Sequence, residues 1–201
     1  MPRRIILLTG PDEAPFLCEL FLKLDPRIDV TAVQDLEELA AAVDRCNGKA
    51  RLIAFLTSII VPPALLSRLW VTPYNIHPGP PEFPGTHPEC FAIWEEAKTY
   101  GVTAHEMTAR VDEGPIIAVY RFDMPPRPDR PALCELAYVR ALDVIAVVAR
   151  HCARSDDPMP PIDETWSTRK RTRIEFRAWR RPPEDAVPAD LERLARACGG
   201  T

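Results

Sequence analysis

Residues 71–118 read VTPYNIHPGPPEFPGTHPECFAIWEEAKTYGVTAHEMTARVDEGPIIA, and the interpretation of the chain starts from this stretch. Asn75 and His77 end a short apolar run, and Asp112 stands just before a Gly-Pro turn between two further apolar runs. Open α/β sheets bind their ligands where strands end. The stretch therefore predicts that an amide, an imidazole and a carboxylate lie at the strand ends of a sheet.

The rest of the chain alternates short apolar runs with segments of helical periodicity. Besides the strand that delivers Asn75 and His77, strands are predicted at residues 4–9, 28–33, 52–56, 101–107 and 115–122. Helices are predicted after the first two strands and at residues 89–97, 131–152 and 190–197. This alternation is typical of βαβ units around a parallel sheet. We therefore predict an α/β fold with a mostly parallel, twisted sheet and helices on both faces.

The composition is that of one ordinary globular domain. The chain has 201 residues, of which 46% are hydrophobic and 27% are charged. Its net charge of −4 argues against a nucleic-acid partner. Its apolar runs are shorter than the roughly 20 residues that a membrane span needs. We expect a single domain over residues 1–201 and no membrane partner, and these observations leave a homodimer open.

The cysteines show no spacing that is typical of a metal site. None of the six lies in a C-x-x-C pair, and the four histidines do not cluster with them in the sequence. We therefore predict no zinc or other metal. Free thiols at apolar helix positions act as small hydrophobic groups. This usage favours a reducing, cytoplasmic compartment.

Asn75 and His77 share one face of an extended segment, because side chains repeat every two residues in a strand. An amide donor beside an imidazole suits the oxyanion of an acyl transfer. A plain loop asparagine and a structural histidine are the alternative. Asp112 has the alternative of an ordinary turn residue, but a carboxylate that reaches His77 would orient its ring.

Other polar residues are interpreted more plainly. His105 lies in a predicted strand and is assigned a structural role. The segment from Arg169 to Arg181 holds seven basic residues against Glu175 alone. Two interpretations are open for this run: a solvated strand or turn face, and a contact with an anionic substrate or RNA. We favour the solvated face, since the whole chain is acidic and carries no aromatic-rich RNA motif.

The ordered set Asn75-x-His77, the Pro-rich loop with Gly85, Gly101-Val102-Thr103 and Asp112-x-Gly114-Pro115 resembles the formyltransferase family. The resemblance covers residues 50–123 well, which we take as the catalytic core, followed by an Arg-rich C-terminal extension at 155–201. It implies a Rossmann-like formyltransferase fold that uses 10-formyltetrahydrofolate as co-substrate. It implies catalytic roles for Asn75, His77 and Asp112. It also implies that the cofactor binds along two segments, at Phe55, Leu56, Thr57, Ile59, Val61, Thr108 and Val111.

The loop after His77 departs from the family pattern on the acceptor side. The usual Ser-Leu-Leu-Pro is replaced by Gly79-Pro80-Pro81-Glu82, and an expected Arg-Gly by Pro84-Gly85. We assign acceptor contacts to Gly79, Glu82, Phe83 and His87. A lost arginine and a gained carboxylate suit an acceptor amine with little negative charge. The alternative, which we rate as equal, is that Glu82 points to solvent and Phe83 packs the loop.

The function implied by the resemblance is transfer of a formyl group to the amine of a small molecule. Two alternatives remain open. One is a 10-formyltetrahydrofolate hydrolase, in which water replaces the amine. The other is a catalytically silent folate-binding module.

Overall fold

A six-stranded sheet forms the centre of the molecule, which the computed structural model describes at residues 3–181 and 186–199. The remaining residues, including 182–185 of the predicted C-terminal extension, lie outside the described residues. The strands are β1 (Arg4–Leu8), β2 (Asp29–Val33), β3 (Arg51–Phe55), β4 (Val71–His77), β5 (Thr99–Glu106) and β6 (Ile116–Asp123). Their order in the sheet is β2-β1-β3-β4-β5-β6. Neighbours from β2 to β4 are parallel, and β5 and β6 add antiparallel pairs.

Helices cover both faces of the sheet. They are α1 (Ala14–Leu24), α2 (Leu36–Arg45), α3 (Pro63–Leu66), α4 (Pro88–Trp94), α5 (Arg130–Cys152), α6 (Arg173–Trp179) and α7 (Pro188–Cys198). α1, α4 and α5 bury their apolar sides with one face of the sheet, around Leu17, Phe91 and Val148. α2 and α3 cover the other face, around Leu39 and Leu65. The prediction of a mostly parallel sheet between helices is confirmed.

The helix starts follow the expected capping chemistry. Asp35 caps α2 by accepting a hydrogen bond of 2.8 Å from the Glu38 backbone N–H. Asp129 caps α5 by accepting one of 2.9 Å from the Ala132 backbone N–H. Each cap satisfies an otherwise unpaired donor in the first turn of its helix. Both helices therefore begin where the sequence offers a carboxylate.

The Arg-rich run differs from its prediction as a solvated strand or turn face. Thr172 and Glu175 form a reciprocal capping box, and the run folds into α6. Phe176 on this helix is buried in the core. Arg171, just before the cap, is also buried, pairs with Glu95 and lies 4.8 Å from the Phe91 ring centre. The capping box and the apolar side of α6 outweigh the high charge of the run.

Residues 159–172, which we call the strap, connect α5 to α6. The strap begins where the Met159 backbone N–H donates to the Tyr74 hydroxyl at 2.7 Å. It then bonds to the edge strand β6, where the Ile162 N–H donates to the Ile116 carbonyl at 2.8 Å. Its last residues pair with the Pro-rich loop through a bridge between Gly85 and Arg171. The strap thereby joins the edge of the sheet to the loop that follows His77.

Gly85 is a point of close approach between the strap and the loop. A Cβ atom at Gly85 would lie 2.1 Å from the Arg171 carbonyl oxygen, and its φ of +97° is one that L residues rarely adopt. We expect Gly85→Ala to lower the free energy of unfolding by about 2–4 kcal/mol, from backbone strain and overpacking together. Urea denaturation measures this.

Gly10→Ala is the matched control for Gly85→Ala. A Cβ atom at Gly10 would lie 2.6 Å from a carboxylate oxygen of Glu13, and this flexible side chain can move away. We expect a loss of less than about 1 kcal/mol for Gly10→Ala, as is usual for a substitution that the structure can absorb. Equal losses for the two variants would contradict the close approach of strap and loop.

The described residues contain neither a disulfide nor a membrane-spanning helix. The six cysteines, all within the described ranges, form no disulfide. None of the helices in residues 3–181 and 186–199 has the length and apolar character needed to cross a bilayer.

Candidate active site

Strand pairing places four polar side chains on one face of the sheet. Asn75 lies opposite His105 and His77 lies opposite Thr103 in the antiparallel pair of β4 and β5. Paired residues point to the same side, and so do residues two apart. All four therefore share the face on which α2 and α3 cover the neighbouring strands β1 to β3.

Asp112 joins the two histidines of this face. Its Oδ2 lies 3.6 Å from Nδ1 of His77, and its Oδ1 lies 3.3 Å from Nε2 of His105. The Gly85 backbone N–H donates to Oδ2 at 2.8 Å. Asp112 has a φ of +49°, a conformation that aspartate tolerates better than most residues. The structure thus brings the predicted Asn75, His77 and Asp112 together and adds His105.

The hydrogen bonds assign the ring protons of both histidines. Nε2 of His77 lies 3.1 Å from the Phe83 carbonyl, which can only accept, so this nitrogen carries the proton. Nδ1 of His105 donates to the Glu106 carbonyl at 2.8 Å for the same reason. Nε2 of His105 is then free to accept from the Asn75 amide at 3.0 Å. The second amide hydrogen of Asn75 remains available to a ligand.

Burial separates Asn75 from its partners. His77, His105 and Asp112 are each less than 5% exposed, whereas Asn75 is only half-buried. A ligand at this end of the sheet therefore meets Asn75 first. His77, His105 and Asp112 form a network of titratable side chains behind it.

Burial and hydrogen bonding set the charge state of the network. Burial lowers the pKa of His77, although the neighbouring Asp112 carboxylate opposes this. Burial alone would raise the pKa of Asp112, but His77, His105 and the Gly85 N–H outweigh it and lower that pKa to about 2. A neutral His77 therefore faces an ionised Asp112, which is placed to stabilise a proton that arrives at Nδ1.

These shifts predict a loss of stability in acid. The unfolded chain takes up a proton at its histidines near pH 6.5, whereas folded His77 resists that proton, so the free energy of unfolding should fall as pH drops through that value. Protonation of Asp112 should lower the free energy of unfolding further as pH falls from the ordinary aspartate pKa of 3.8 towards 2. Urea unfolding at a series of pH values measures both steps.

The variant His77→Gln should flatten the step near pH 6.5 and leave the more acidic one. His151→Gln is the control, since His151 lies at the end of α5 and its ring bonds to the Asp157 carbonyl, away from the network. A His77→Gln profile that follows the wild-type slope would contradict the assigned charge state.

A comparison with protein families gives the family of this chain. The family described as formyl transferase matches residues 27–134, which is more than half of the chain and contains Asn75, His77, His105 and Asp112. The chain belongs to the formyl transferase family. The predicted family and the predicted enzyme class are confirmed.

Many solved structures share this fold, and three of them illustrate their similarity to this formyltransferase. A sugar N-formyltransferase from Shewanella sp FDAARGOS_354 has a TM-score of 0.79 at 17% identity, over 100% of this chain and 89% of that one. The formyltransferase PseJ from Anoxybacillus kamchatkensis, in complex with UDP-4,6-dideoxy-4-formamido-L-AltNAc and tetrahydrofolate, has a TM-score of 0.73 at 18% identity, over 95% and 97%. An N-formyltransferase from Helicobacter canadensis, in complex with folinic acid and dTDP-3-aminofucose, has a TM-score of 0.72 at 14% identity, over 98% and 80%. At these identities the likeness establishes the fold, and a search of curated proteins found no match.

The two predicted folate segments of the formyltransferase lie beside the network. Residues 56–61 follow β3, residues 107–112 follow β5, and β4 pairs with both strands. Ile59 and Met107 pack against the same apolar cluster under α2 and α3. Ile59 and Met107 therefore place part of each segment on the face that carries Asn75. Of the predicted contact residues, Phe55 and Val61 are buried, Thr108 and Val111 are exposed, and Leu56, Thr57 and Ile59 are partly buried.

The residues predicted on the acceptor side are more dispersed. Gly79 is buried against the imidazole, since a Cβ there would lie 2.7 Å from Nε2 of His77. Phe83 is buried in the core, which turns its ring away from an acceptor and leaves its carbonyl as the partner of His77. His87 stacks on Phe176 at 3.8 Å between ring centres. Phe83 and His87 thus have packing partners that sequence alone does not reveal.

Glu82 is exposed, as expected for an acceptor contact, but its charge is not free. Nη2 of Arg121 binds the Glu82 carboxylate at 2.8 Å, and the same guanidinium binds Glu164 through two bonds of 2.6 and 2.9 Å. One guanidinium thus serves two carboxylates, so one negative charge in this group stays uncompensated. Selection of a cationic acceptor by Glu82 stays a prediction.

Sequence reasoning missed Trp166 of the strap. Its ring stands edge-on to His77 and His105, with centres 5.8 and 5.0 Å away. Its indole N–H donates to the Gly114 carbonyl at 2.8 Å. A cavity of about 610 Å³ lies between the turn at 112–116 and strap residues 164–168 and 170. The only sequence signal for Trp166 was a single aromatic residue in a polar, proline-flanked segment.

His87, Glu89 and Cys90 form a group that the prediction of no metal did not anticipate. Their polar atoms lie within 4.8 Å of one another. Nε of Arg130 binds the Glu89 carboxylate at 2.9 Å, so the negative charge already has a partner. Burial also raises the pKa of the Cys90 thiol, which opposes the thiolate form that binds metals. An ion-pair network describes this group better than a metal site.

Proposed function

We propose that this enzyme transfers the formyl group of 10-formyltetrahydrofolate to an amine on a small molecule, with Asn75, His77 and Asp112 as its catalytic residues. The observation that carries the proposal is the half-exposed Asn75 amide in front of the buried network of His77, Asp112 and His105. Such a preorganised donor suits the oxyanion of an acyl transfer. Membership of the formyl transferase family favours transfer over a silent folate-binding module.

The chemistry follows from the available groups. The acceptor nitrogen attacks the formyl carbon, and the carbonyl oxygen becomes an oxyanion. The free amide hydrogen of Asn75 stabilises that oxyanion. The amine then gives up a proton to His77, with the Asp112 carboxylate as its counterion, and that proton passes to N10 of the folate as the bond from carbon to N10 breaks. Asp112 stabilises the imidazolium form of His77, and the Gly85 N–H holds Asp112 in place.

The folate is proposed to lie between residues 56–61 and 107–112. Two supports for this proposal are the placement of part of each segment on the face that carries Asn75 and the complexes of the structural neighbours with tetrahydrofolate and folinic acid. As the acceptor, we propose an amino sugar, because the same two neighbours hold nucleotide-linked sugars. The unpaired cysteines support a reducing, cytoplasmic setting.

The proposal is tested with purified protein, isotopically labelled 10-formyltetrahydrofolate and a panel of amines. The panel contains nucleotide-linked amino sugars, free amino sugars, aliphatic diamines and amino acids, and mass spectrometry detects labelled N-formyl products. We expect a labelled product with an amino sugar. Labelled formate at the same rate with and without every amine would identify a hydrolase, and tight folate binding without product or formate would identify a silent module.

A further inference from the structure

Trp166 stands between solvent and the buried network. It lines the 610 Å³ cavity, as does Asp112, whereas His77 and His105 do not line it. On its other side the ring contacts both histidines edge-on. The indole therefore forms the wall that separates the water of the cavity from the two imidazoles.

The same residue fixes the turn that carries Asp112. Its N–H bond to the Gly114 carbonyl holds the turn two residues beyond Asp112. The strap that carries Trp166 is itself held to the Pro-rich loop, because the Ser167 N–H donates to the Pro81 carbonyl at 2.9 Å. Trp166 is thus a rigid part of the site that comes from outside the residues matched by the family.

We infer that Trp166 is a positioning residue that keeps water of the cavity away from the His77 and His105 rings and so directs the formyl group to the amine instead of to water. This inference rests on the proposed formyl transfer. If water reached the site, its oxygen would attack the formyl carbon, the bond from carbon to N10 would break with a proton delivered to N10, and formate and tetrahydrofolate would leave. A closed, dry site suppresses this side reaction.

The wall also controls the environment of the His77 ring. The titratable and charged groups that face this ring are Asp112 from the turn, His105 from β5 and Glu89 from α4. Removing Trp166 leaves these groups in place and adds water. Water favours the charged imidazolium, so the pKa of His77 should rise when the indole is removed.

The test compares Trp166→Ala, Trp166→Phe and the control Trp179→Ala. Trp179 belongs to the same C-terminal part of the chain but packs on Phe91 and Trp94, at 5.1 and 5.4 Å between ring centres. Formate release from labelled donor without acceptor, N-formyl product formation, the KM for the donor, thermal stability and the NMR titration of His77 are measured for each.

For Trp166→Ala we expect formate release to rise at least about tenfold, because water enters the site. We expect kcat for transfer to fall by about tenfold to a hundredfold, because the turn that carries Asp112 loses its hydrogen bond at Gly114, while the KM for the donor stays within about twofold. His77 should titrate at higher pH. Trp166→Phe keeps an aromatic wall without the Gly114 bond, so formate release should stay low. Trp179→Ala should lose stability without a change in the ratio of product to formate.

Two results would overturn the inference. One is a Trp166→Ala protein that is merely less stable, with the wild-type ratio of product to formate. The other is a His77 ring that titrates at the same pH in wild type and Trp166→Ala. The NMR titration needs no turnover, so it decides the role of Trp166 even if the wild-type protein formylates no amine and the proposed function fails.

Discussion

Replacing His77 by alanine is expected to lower kcat for formyl transfer by at least about a hundredfold, the usual contribution of a general acid–base or oxyanion-stabilising group. The residue is buried between the Phe83 carbonyl and the Asp112 carboxylate. Its removal deletes the ring that holds the transferred proton and leaves Asp112 with one partner fewer. Steady-state formation of the N-formyl product measures the effect, and the KM for the donor should change much less than kcat.

The control for this variant is His151→Ala. His151 lies at the end of α5 and its described contact is the Asp157 carbonyl, at 2.8 Å. We expect its kcat to remain within about twofold of the wild-type value, as for an ordinary surface substitution. A His77→Ala enzyme with near-wild-type kcat would remove His77 from the mechanism, whatever its effect on stability.

The second large effect is expected for Asp112→Asn, with a fall in kcat of about a thousandfold. Asparagine has the same shape, tolerates the φ of +49° and can still accept from the Gly85 N–H, so the turn should survive. What disappears is the negative charge between the two histidines. An imidazolium form of His77 then has no counterion, and the proton released by the amine has no stable place to go.

Glu113→Gln is the matched control for Asp112→Asn. It removes a carboxylate from the neighbouring position, where Glu113 is solvent-exposed and pairs with Lys170 and Arg110. We expect little change in kcat, because exposed pairs contribute little. If both variants lost activity equally, the effect would come from the turn as a whole, and Asp112 would not be the specific acid–base partner of His77.

The fold could be predicted because its signals are local. β1 and β3 are continuous apolar runs, as is typical of strands buried on both faces. Asp35 with Glu38 predicts the start of α2. α6 is harder to predict from the sequence, because its cap lies within a run of arginines and Phe176 is the only buried residue of the helix. Charge density misled the interpretation there, since long basic side chains can cover apolar surface.

The site could be predicted only as far as its residues follow a recognisable order along the chain. Asn75, His77 and Asp112 do so. His105 could have been found from strand alternation, because it lies directly opposite Asn75, but that requires the pairing register of β4 and β5. The burial of Phe83 and the position of Trp166 depend on contacts between distant parts of the chain, which no local pattern encodes.

The bridge between Gly85 and Arg171 has a consequence for the order of events during biosynthesis. The loop after His77 leaves the ribosome well before the strap, and non-local contacts form slowly because the intervening chain must first be brought together. Until residue 171 has emerged and docked, the loop lacks its partner and Trp166 has not reached the histidines. A nascent chain can therefore complete most of its sheet while its catalytic network is still open to water, and activity should appear as one of the last steps of folding.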